Sequence, residues 1–333
     1  MIEETAIRAL IDGKAKPPGS LGRIEDLAVQ LALIAGRADP RIDRARLLVF
    51  AGDHGLTESG VSAYPSAVTQ AMVATFLAGK ASANAFARAA GAELKVVDAG
   101  VAGLLPAHPD LIAAKIRPGT RNAAVESALT LDEVRLALDR GARIVQDVAA
   151  ENVDILLLGE MGIGNTASAA LLMHRLAPAR LEDCIGQGTG HTPEGMARKR
   201  AALEQAAGRS DASEPLHVMA QFGGLEIAMM TGAILGAAEA RMPVLVDGFI
   251  CTAAALAAVR LRPEAREVLI FSHRSAERGH GLMLHVLGAE PLLDLDLRLG
   301  EGTGALLALP LVRAAARLLT DVASLDDVLA GRL

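Results

Sequence analysis

Tryptophan is absent from this 333-residue sequence, and tyrosine occurs once. Aromatic residues make up only 2% of the chain. A surface that binds nucleic acid stacks bases on aromatic platforms and tracks phosphates with clustered basic residues. Neither feature is present. The 33 basic residues are scattered among 39 acidic ones, and the net charge is −6. Nucleic-acid binding is disfavoured on both counts. Cysteine is scarce as well: Cys184 and Cys251 lie far apart in sequence. They are expected to be buried free thiols in a reducing cytoplasm rather than a disulfide. Long apolar runs are missing. The most apolar stretch, IAMMTGAILGAA, is bounded by Glu226 and Glu239 and is too short to span a bilayer. The opening residues, MIEETAIRAL, are acidic where a secretory signal would be basic, so a cytoplasmic location is expected.

What is present is a large stock of small apolar residues. Hydrophobic residues reach 51% against 22% charged, enough for a sizeable core and too apolar for disorder. With few aromatics, that core is built from Ala, Leu, Val and Ile, which suit close packing of helices on a sheet. The length allows one large domain, or a large domain with a small one.

Short apolar, β-branched runs recur along the chain: LLVFAGD (47–53), LKVVDAG (94–100), ILLLGE (155–160), VLVDG (244–248) and VLIFSH (268–273). Their continuous apolar character fits strands buried on both faces. Ala/Leu-rich helical stretches separate them, which predicts crossover connections and a mostly parallel sheet. The strand–helix units are too few for an eight-fold barrel. Each run ends on polar residues: Asp53-His54, Asp98, Glu160, Asp247 and Ser272-His273. Open parallel sheets bind ligands outside the carboxyl ends of their strands, so five polar strand ends on one edge form a site-like pattern. The first forty-odd residues and the last thirty read as helical, apart from the break KPPGSLG at 16–22, and can pack together as a small helical domain. SDASEP (210–215) reads as a loop.

Several glycine runs carry candidate chemistry, each with a plainer reading beside it. GEMGIGNTASAA starts at the end of a strand: Gly162 and Gly164 allow close backbone approach, and Asn165 or Thr166 can cap the next helix. Such a helix start can hold a phosphate, but an ordinary turn and cap fit equally well, and the spacing is neither the dinucleotide fingerprint nor the Walker loop. Glu160 just before it is, taken alone, more often a cap or backbone acceptor. GQGTGHTPEGMARKR (186–200) leads into a helix bearing Arg198, Lys199 and Arg200. One of these cations can reach an anion held by the loop, although a basic cluster on a helix is usually a solvated face. FSHRSAERGHGLML (271–284) holds Ser272, Ser275, His273 and His280. Its serines suit phosphate, it has no nucleophile elbow, and its histidines lack metal-ligand spacing. In AGDHGLTESGVSAYP, Asp53-His54 can orient a loop, act as a base or form a cap and turn, and Tyr64 offers a flat wall for a planar ligand. LRLGEGTGALL (297–307) places Glu301 among glycines, either as an acid acting on something held close or as a carboxylate favoured near a helix start.

Taken together, KPPGSLGRIEDLA, FAGDHGLTESGVSAYP, GEMGIGNTASAA, GTG with GMARKR, VDGFICTAAA, FSHRSAERGH and LRLGEGTGA resemble the nicotinate-nucleotide–dimethylbenzimidazole phosphoribosyltransferase family of cobalamin lower-ligand synthesis. They run in family order from about Lys16 to Ala305. The resemblance implies an α/β fold: a Rossmann-like, mostly parallel sheet with helices on both faces. It implies a large catalytic domain (45–305) and a small helical domain from both chain ends (1–44 and 306–333). It further implies a homodimer that needs no metal or cofactor. The implied reaction moves the phosphoribosyl group of nicotinate mononucleotide to 5,6-dimethylbenzimidazole, giving α-ribazole 5′-phosphate and nicotinate with inversion at the sugar carbon. Glu301 then matches the catalytic base, with flanking glycines letting a bulky planar base approach. Burial would raise its pKa and the glycine-loop amides would oppose the rise. Glu160 matches the acid before the family's glycine loop, a second catalytic candidate that can stabilise the positive charge growing at the sugar carbon or hold the ribose. Gly162, Gly164, Lys199 and Ser275 match positions around the phosphoribosyl group, and Tyr64, Met72 and Met161 fall in the base pocket. The chain departs from the family pattern at Gln187 (commonly Arg), at His191-Thr192, in AGKASAN (78–84), which has fewer glycines, and at Tyr64 and Met72. These changes bear on the acceptor base more than on the reaction, and a purine or phenol is the alternative acceptor. A dinucleotide-dependent oxidoreductase is disfavoured by the absence of G-x-G-x-x-G after the first strand, and a non-catalytic nucleotide sensor by the presence of Glu301 and Lys199.

Overall fold

The computed structural model describes residues 2–186, 190 and 192–332. Helices α1 (Glu4–Asp12) and α2 (Arg23–Ala35) precede strand β1 (Ala45–Gly52). Helices α3 (Ala67–Leu77) and α4 (Ser82–Ala90) lead to β2 (Ala92–Gly100), and a loop leads to β3 (Leu111–Ala113). Helix α5 (Leu131–Ala150) returns the chain to β4 (Ile155–Met161). A helical stretch follows: α6 (Asn165–Leu176), α7 (Leu181–Cys184), α8 (Pro193–Arg209), α9 (Pro215–Phe222) and α10 (Leu225–Glu239). Then come β5 (Val244–Val246), α11 (Phe249–Leu261), β6 (Leu269–Phe271) and the short β7 (His273–Arg274). The chain ends with α12 (His280–Val286), β8 (Leu293–Asp294), α13 (Thr303–Thr320) and α14 (Leu325–Leu329).

Six strands form one sheet in the order β3-β2-β1-β4-β5-β6, and every pairing is parallel. The five expected strands are all present. The sequence reading missed β3, a three-residue edge strand that is only partly buried. The strand order reverses direction between β1 and β4, which is where such a sheet opens a crevice at its carboxyl edge. Both faces are covered, and side-chain alternation divides the strands between two cores. Leu48, Phe50, Leu156 and Leu158 pack with α5, α6 and α8–α11. Leu47, Val49, Ile155 and Leu157 pack with α1–α4 and α13. The terminal helices therefore meet one another and the sheet, and the boundary expected near 305 would fall in the first turn of α13. Among the described residues, α13 is the one helix long and apolar enough to cross a membrane, and 61% of it is buried inside the fold. Both cysteines are free and buried.

The tightest packing runs helix against helix. A methyl group on Gly141 of α5 would collide with the Met229 carbonyl oxygen of α10, and one on Gly232 of α10 with the Leu138 carbonyl oxygen of α5. Small residues let these two backbones touch. Gly232→Ala is therefore expected to force them apart. Overpacking costs about 1–3 kcal/mol, and the better helix propensity of Ala returns only about 1 kcal/mol of it. The urea midpoint of the variant falls; an unchanged or higher midpoint would show that the contact yields freely.

Candidate active site

A cavity of about 250 Å3 opens at the carboxyl ends of β1, β4 and β5. Seven of the nine expected site residues line it: Glu301, Glu160, Gly162, Ser275, Tyr64, Met72 and Met161. Gly164 and Lys199 stand behind its wall. A larger hollow of about 520 Å3 lies at the opposite edge of the sheet, against α2. Its rim charges largely pair with one another, as in Arg8 with Glu4 and Asp26, and Arg262 with Glu239.

Glu301 occupies an unusual backbone. Gly300, Glu301 and Gly302 have φ of 86°, 62° and 80°, three left-handed residues in a row. Glycine adopts this region freely, but a glutamate does not, so strain is held at the one residue with a side chain. The loop lies flat on the sheet edge. A methyl on Gly159 of β4 would sit 2.7 Å from the Glu301 carbonyl oxygen, and one on Gly302 would collide with Leu47 Cδ1. Asp247 clamps it: its carboxylate accepts the Gly302 N–H at 3.2 Å and the Ala305 N–H at 3.0 Å. Asp247 thereby serves the first turn of α13 from a different element.

The Glu301 side chain is buried, and its Oε2 accepts the Ala83 N–H at 3.3 Å from the first turn of α4. Burial pushes its pKa up; the Ala83 amide opposes this, and the Asp247 charge adds to the rise. The opposing donor is thus the start of α4, not the glycine loop that the sequence suggested. It belongs to AGKASAN, the stretch with fewer glycines. Glu160 is also buried and accepts a short hydrogen bond from Asn165 Nδ2. A methyl on Gly300 would collide with Glu160 Oε1, so the two acids share one wall. Burial raises the Glu160 pKa to about 8 against the pull of Asn165, with Asp247, Glu226 and Glu301 adding to the rise.

Asn165 therefore does not cap α6, and neither does Thr166. The cap position is Gly164, left-handed at φ 93° and without a side-chain bond. Asn165 aims its amide at Glu160, and Thr166 Oγ1 accepts from Lys199 at 3.2 Å. Lys199 also donates to the Gly186 carbonyl at 2.9 Å and is fully buried, while Arg198 and Arg200 are exposed. The solvated-face reading of this cluster fails for Lys199. Its signal was in the sequence: Ala202, Leu203 and Ala206 follow it at helical spacing and are buried with it. Burial holds the Lys199 ammonium below its ordinary range.

Ser275 sits on a loop fixed by His280. The Ser275 N–H donates to His280 Nδ1 at 2.7 Å, so Nε2 carries the proton and meets Thr252 Oγ1 at 2.9 Å. Burial and the His273 and Arg274 charges push His280 down to about 3, so it is a neutral strut. His54 stands at the cap position of the turn that starts at Gly55, but its side chain makes no capping bond; its ring is buried against Glu226. Asp53 accepts the Ala102 N–H and orients that loop. Sequence reasoning missed Arg298 and Leu299 at the mouth, the Ala83 amide and the double duty of Asp247. Gln187 and His191 lie outside the described residues. Among the described residues, no three His, Cys, Asp or Glu side chains group as a metal-holding set.

Fold and site together define an α/β protein with a small cavity at the switch point of a doubly wound sheet, lined by two buried acids. A phosphoribosyltransferase family model matches residues 3–328, and the chain belongs to that family. It is 53% identical over 319 residues to the nicotinate-nucleotide–dimethylbenzimidazole phosphoribosyltransferase of Cupriavidus necator, covering 96% of this chain and 92% of the relative. The enzyme of the same name from Dechloromonas aromatica is 49% identical over 331 residues, covering 97% and 94%. The crystal structure of CobT from Thermus thermophilus superposes with a TM-score of 0.94 at 44% identity, covering 98% of each chain.

The acid crowding has a consequence for stability. Glu160 ionises near 4.5 when unfolded and near 8 when folded, so the folded state holds the extra proton between these values. Its contribution is present at low pH and is lost as pH rises through that window. Glu160→Gln, which keeps an acceptor for Asn165, should gain stability over wild type as pH rises from about 5 to about 8. Urea unfolding at several pH values checks this; a pH-independent difference would contradict it.

Proposed function

We propose that the chain carries out the reaction for which its relatives are named, with Glu301 as general base. Nicotinate mononucleotide gives its phosphoribosyl group to 5,6-dimethylbenzimidazole. The products are α-ribazole 5′-phosphate and nicotinate. The acceptor enters opposite the leaving group, so the sugar carbon inverts from β to α. The leaving nitrogen is already a pyridinium. It departs with the bond electrons as a neutral ring nitrogen and needs no acid. The acceptor must shed its N–H proton as its other nitrogen bonds to the sugar, and one positioned carboxylate is enough for that.

The observation that carries this reading is the placement of Glu301. Its carboxyl sits on the cavity wall, anchored by one amide and by a clamped loop, with glycines leaving room for a flat heterocycle. A pKa above the usual carboxylate range makes it a stronger base. Glu160 on the same wall faces the ribose and the positive charge that develops as the bond breaks. The Gly162–Gly164 turn, Ser275 and Lys199 serve the phosphoribosyl side, and gripping a remote phosphate places the sugar carbon for attack. Tyr64, Met72 and Met161 form the apolar side that receives the base. The division into domains 45–305 and 1–44 with 306–333, a homodimer and a cytoplasmic location belong to the same proposal. Sedimentation velocity tests the dimer.

Release of nicotinate from a mixture of nicotinate mononucleotide and dimethylbenzimidazole tests the reaction. Glu301→Gln should lose roughly 10²–10⁴-fold in turnover while still binding the nucleotide; near wild-type turnover would remove Glu301 from its role. Lys199→Met should raise KM for nicotinate mononucleotide roughly tenfold or more, as expected for a lost charged hydrogen bond, and leave KM for the base within about twofold. Equal effects on both constants would place Lys199 outside the phosphate contact.

A further inference from the structure

Behind the glycine turn lie two ionisable side chains that the proposed chemistry does not use. His54 follows β1 and Glu226 opens α10. His54 Nε2 meets Glu226 Oε1 at 2.6 Å, and the residues are 2% and 0% exposed. Burial disfavours charge on both, and each is the other's compensation. For the His54 ring, burial acts downward, but Glu226 and the nearby Asp53 outweigh it and hold the proton above the ordinary imidazole range.

The surroundings of the pair leave no slack. A methyl on Gly52 would lie 2.8 Å from Glu226 Oε2, and one on Gly224 would collide with His54 Cε1. A methyl on Gly162 would lie 3.3 Å from Glu226 Oε1 and 3.4 Å from Asn165 Nδ2. Glu226 thus presses on the back of the residue whose front lines the cavity, next to the amide that holds Glu160. At the other end of the turn, a methyl on Gly164 would lie 3.4 Å from His54 Cβ.

We propose that Glu226 and His54 form a positioning unit for the reaction, buttressing the 162–164 turn from behind and fixing a negative charge behind Glu160. The proposal rests on the assignment of Glu160 to the ribose side. The groups facing Glu160 come from four elements: Asn165 on α6, Asp247 after β5, Glu226 on α10 and Glu301 before α13. Of the three acids only Glu301 lines the cavity; Asp247 is committed to the Gly302 and Ala305 amides, and Glu226 acts on Glu160 from behind the wall, without touching substrate. Removing that charge lets Glu160 ionise at lower pH, and His54, deprived of its counterion, becomes neutral.

Difference infrared spectroscopy on the full-length, substrate-free protein tests this through the protonated-carboxyl band that disappears in Glu160→Gln. In wild type the band should titrate near pH 8. In Glu226→Gln its midpoint should fall by at least about half a unit. A purely structural role would lower the melting temperature and leave the midpoint in place; that result overturns the proposal. If the single variant fails to fold, Glu226→Gln with His54→Gln leaves no unpaired charge, and the same downward shift is expected. Nitrogen-15 NMR of wild type should show the His54 ring titrating above the ordinary imidazole range, with the rise lost in Glu226→Gln; a wild-type ring that titrates below that range overturns the proposal whatever the variants do. None of these readouts requires turnover, so failure of the phosphoribosyl transfer itself is seen separately, as absent nicotinate release.

Discussion

One carboxylate, Asp247, accepts two backbone amides from the segment that carries Glu301, and the geometry of the site depends on that clamp. A left-handed glutamate costs about 1–2 kcal/mol. Hydrogen bonds to a charged acceptor contribute about 1.5–3 kcal/mol each, so the clamp outweighs the strain. The sheet supplies the rest of the support. Gly159 lets the loop lie directly on β4, and Gly302 lets it lie on Leu47. What results is a carboxyl whose position is set by the backbone around it, with little left to side-chain freedom.

The clamp also gathers charge. Asp247, Glu160, Glu226 and Glu301 are all buried at one edge of the sheet. In a low dielectric such acids raise one another's pKa, which is the behaviour of Glu160 and Glu301. In the proposed reaction these acids face a ring nitrogen that carries positive charge and a sugar carbon that gains it. The phosphate needs the opposite environment, and the buried Lys199 with the Ser275 loop lies on the other side of the same cavity wall. In the proposed reaction, separation of these acidic and basic sides across one small cavity orients the donor. The struts that hold the wall are themselves polar: His280 under Ser275, and Asn165 against Glu160.

The sheet was largely legible in the sequence because its strands are buried on both faces and so read as unbroken apolar runs. β3 escaped because three partly buried edge residues carry no such run. The two acids were legible because each stands beside glycines at a strand end or before a helix. Their partners were not. Ala83 and Glu301 are 218 positions apart, and Asp247 and Gly302 are 55 apart. No local pattern links residues that only the fold brings together. Asn165 misled for the opposite reason: its local role as a helix cap was available, but the helix takes Gly164 as its cap position and Asn165 as its first residue, which leaves the Asn165 amide to donate to the buried Glu160. Lys199 was hidden between two exposed arginines, although the helical spacing of its apolar neighbours already turned it inward.

The most direct measurement is the crystal structure of the protein with nicotinate mononucleotide and dimethylbenzimidazole bound. The Glu301 carboxyl should lie about 2.6–3.2 Å from the benzimidazole N–H nitrogen, with the other nitrogen aimed at the sugar carbon. A heterocycle whose N–H meets a different group, with the Glu301 carboxyl turned elsewhere, would contradict the account.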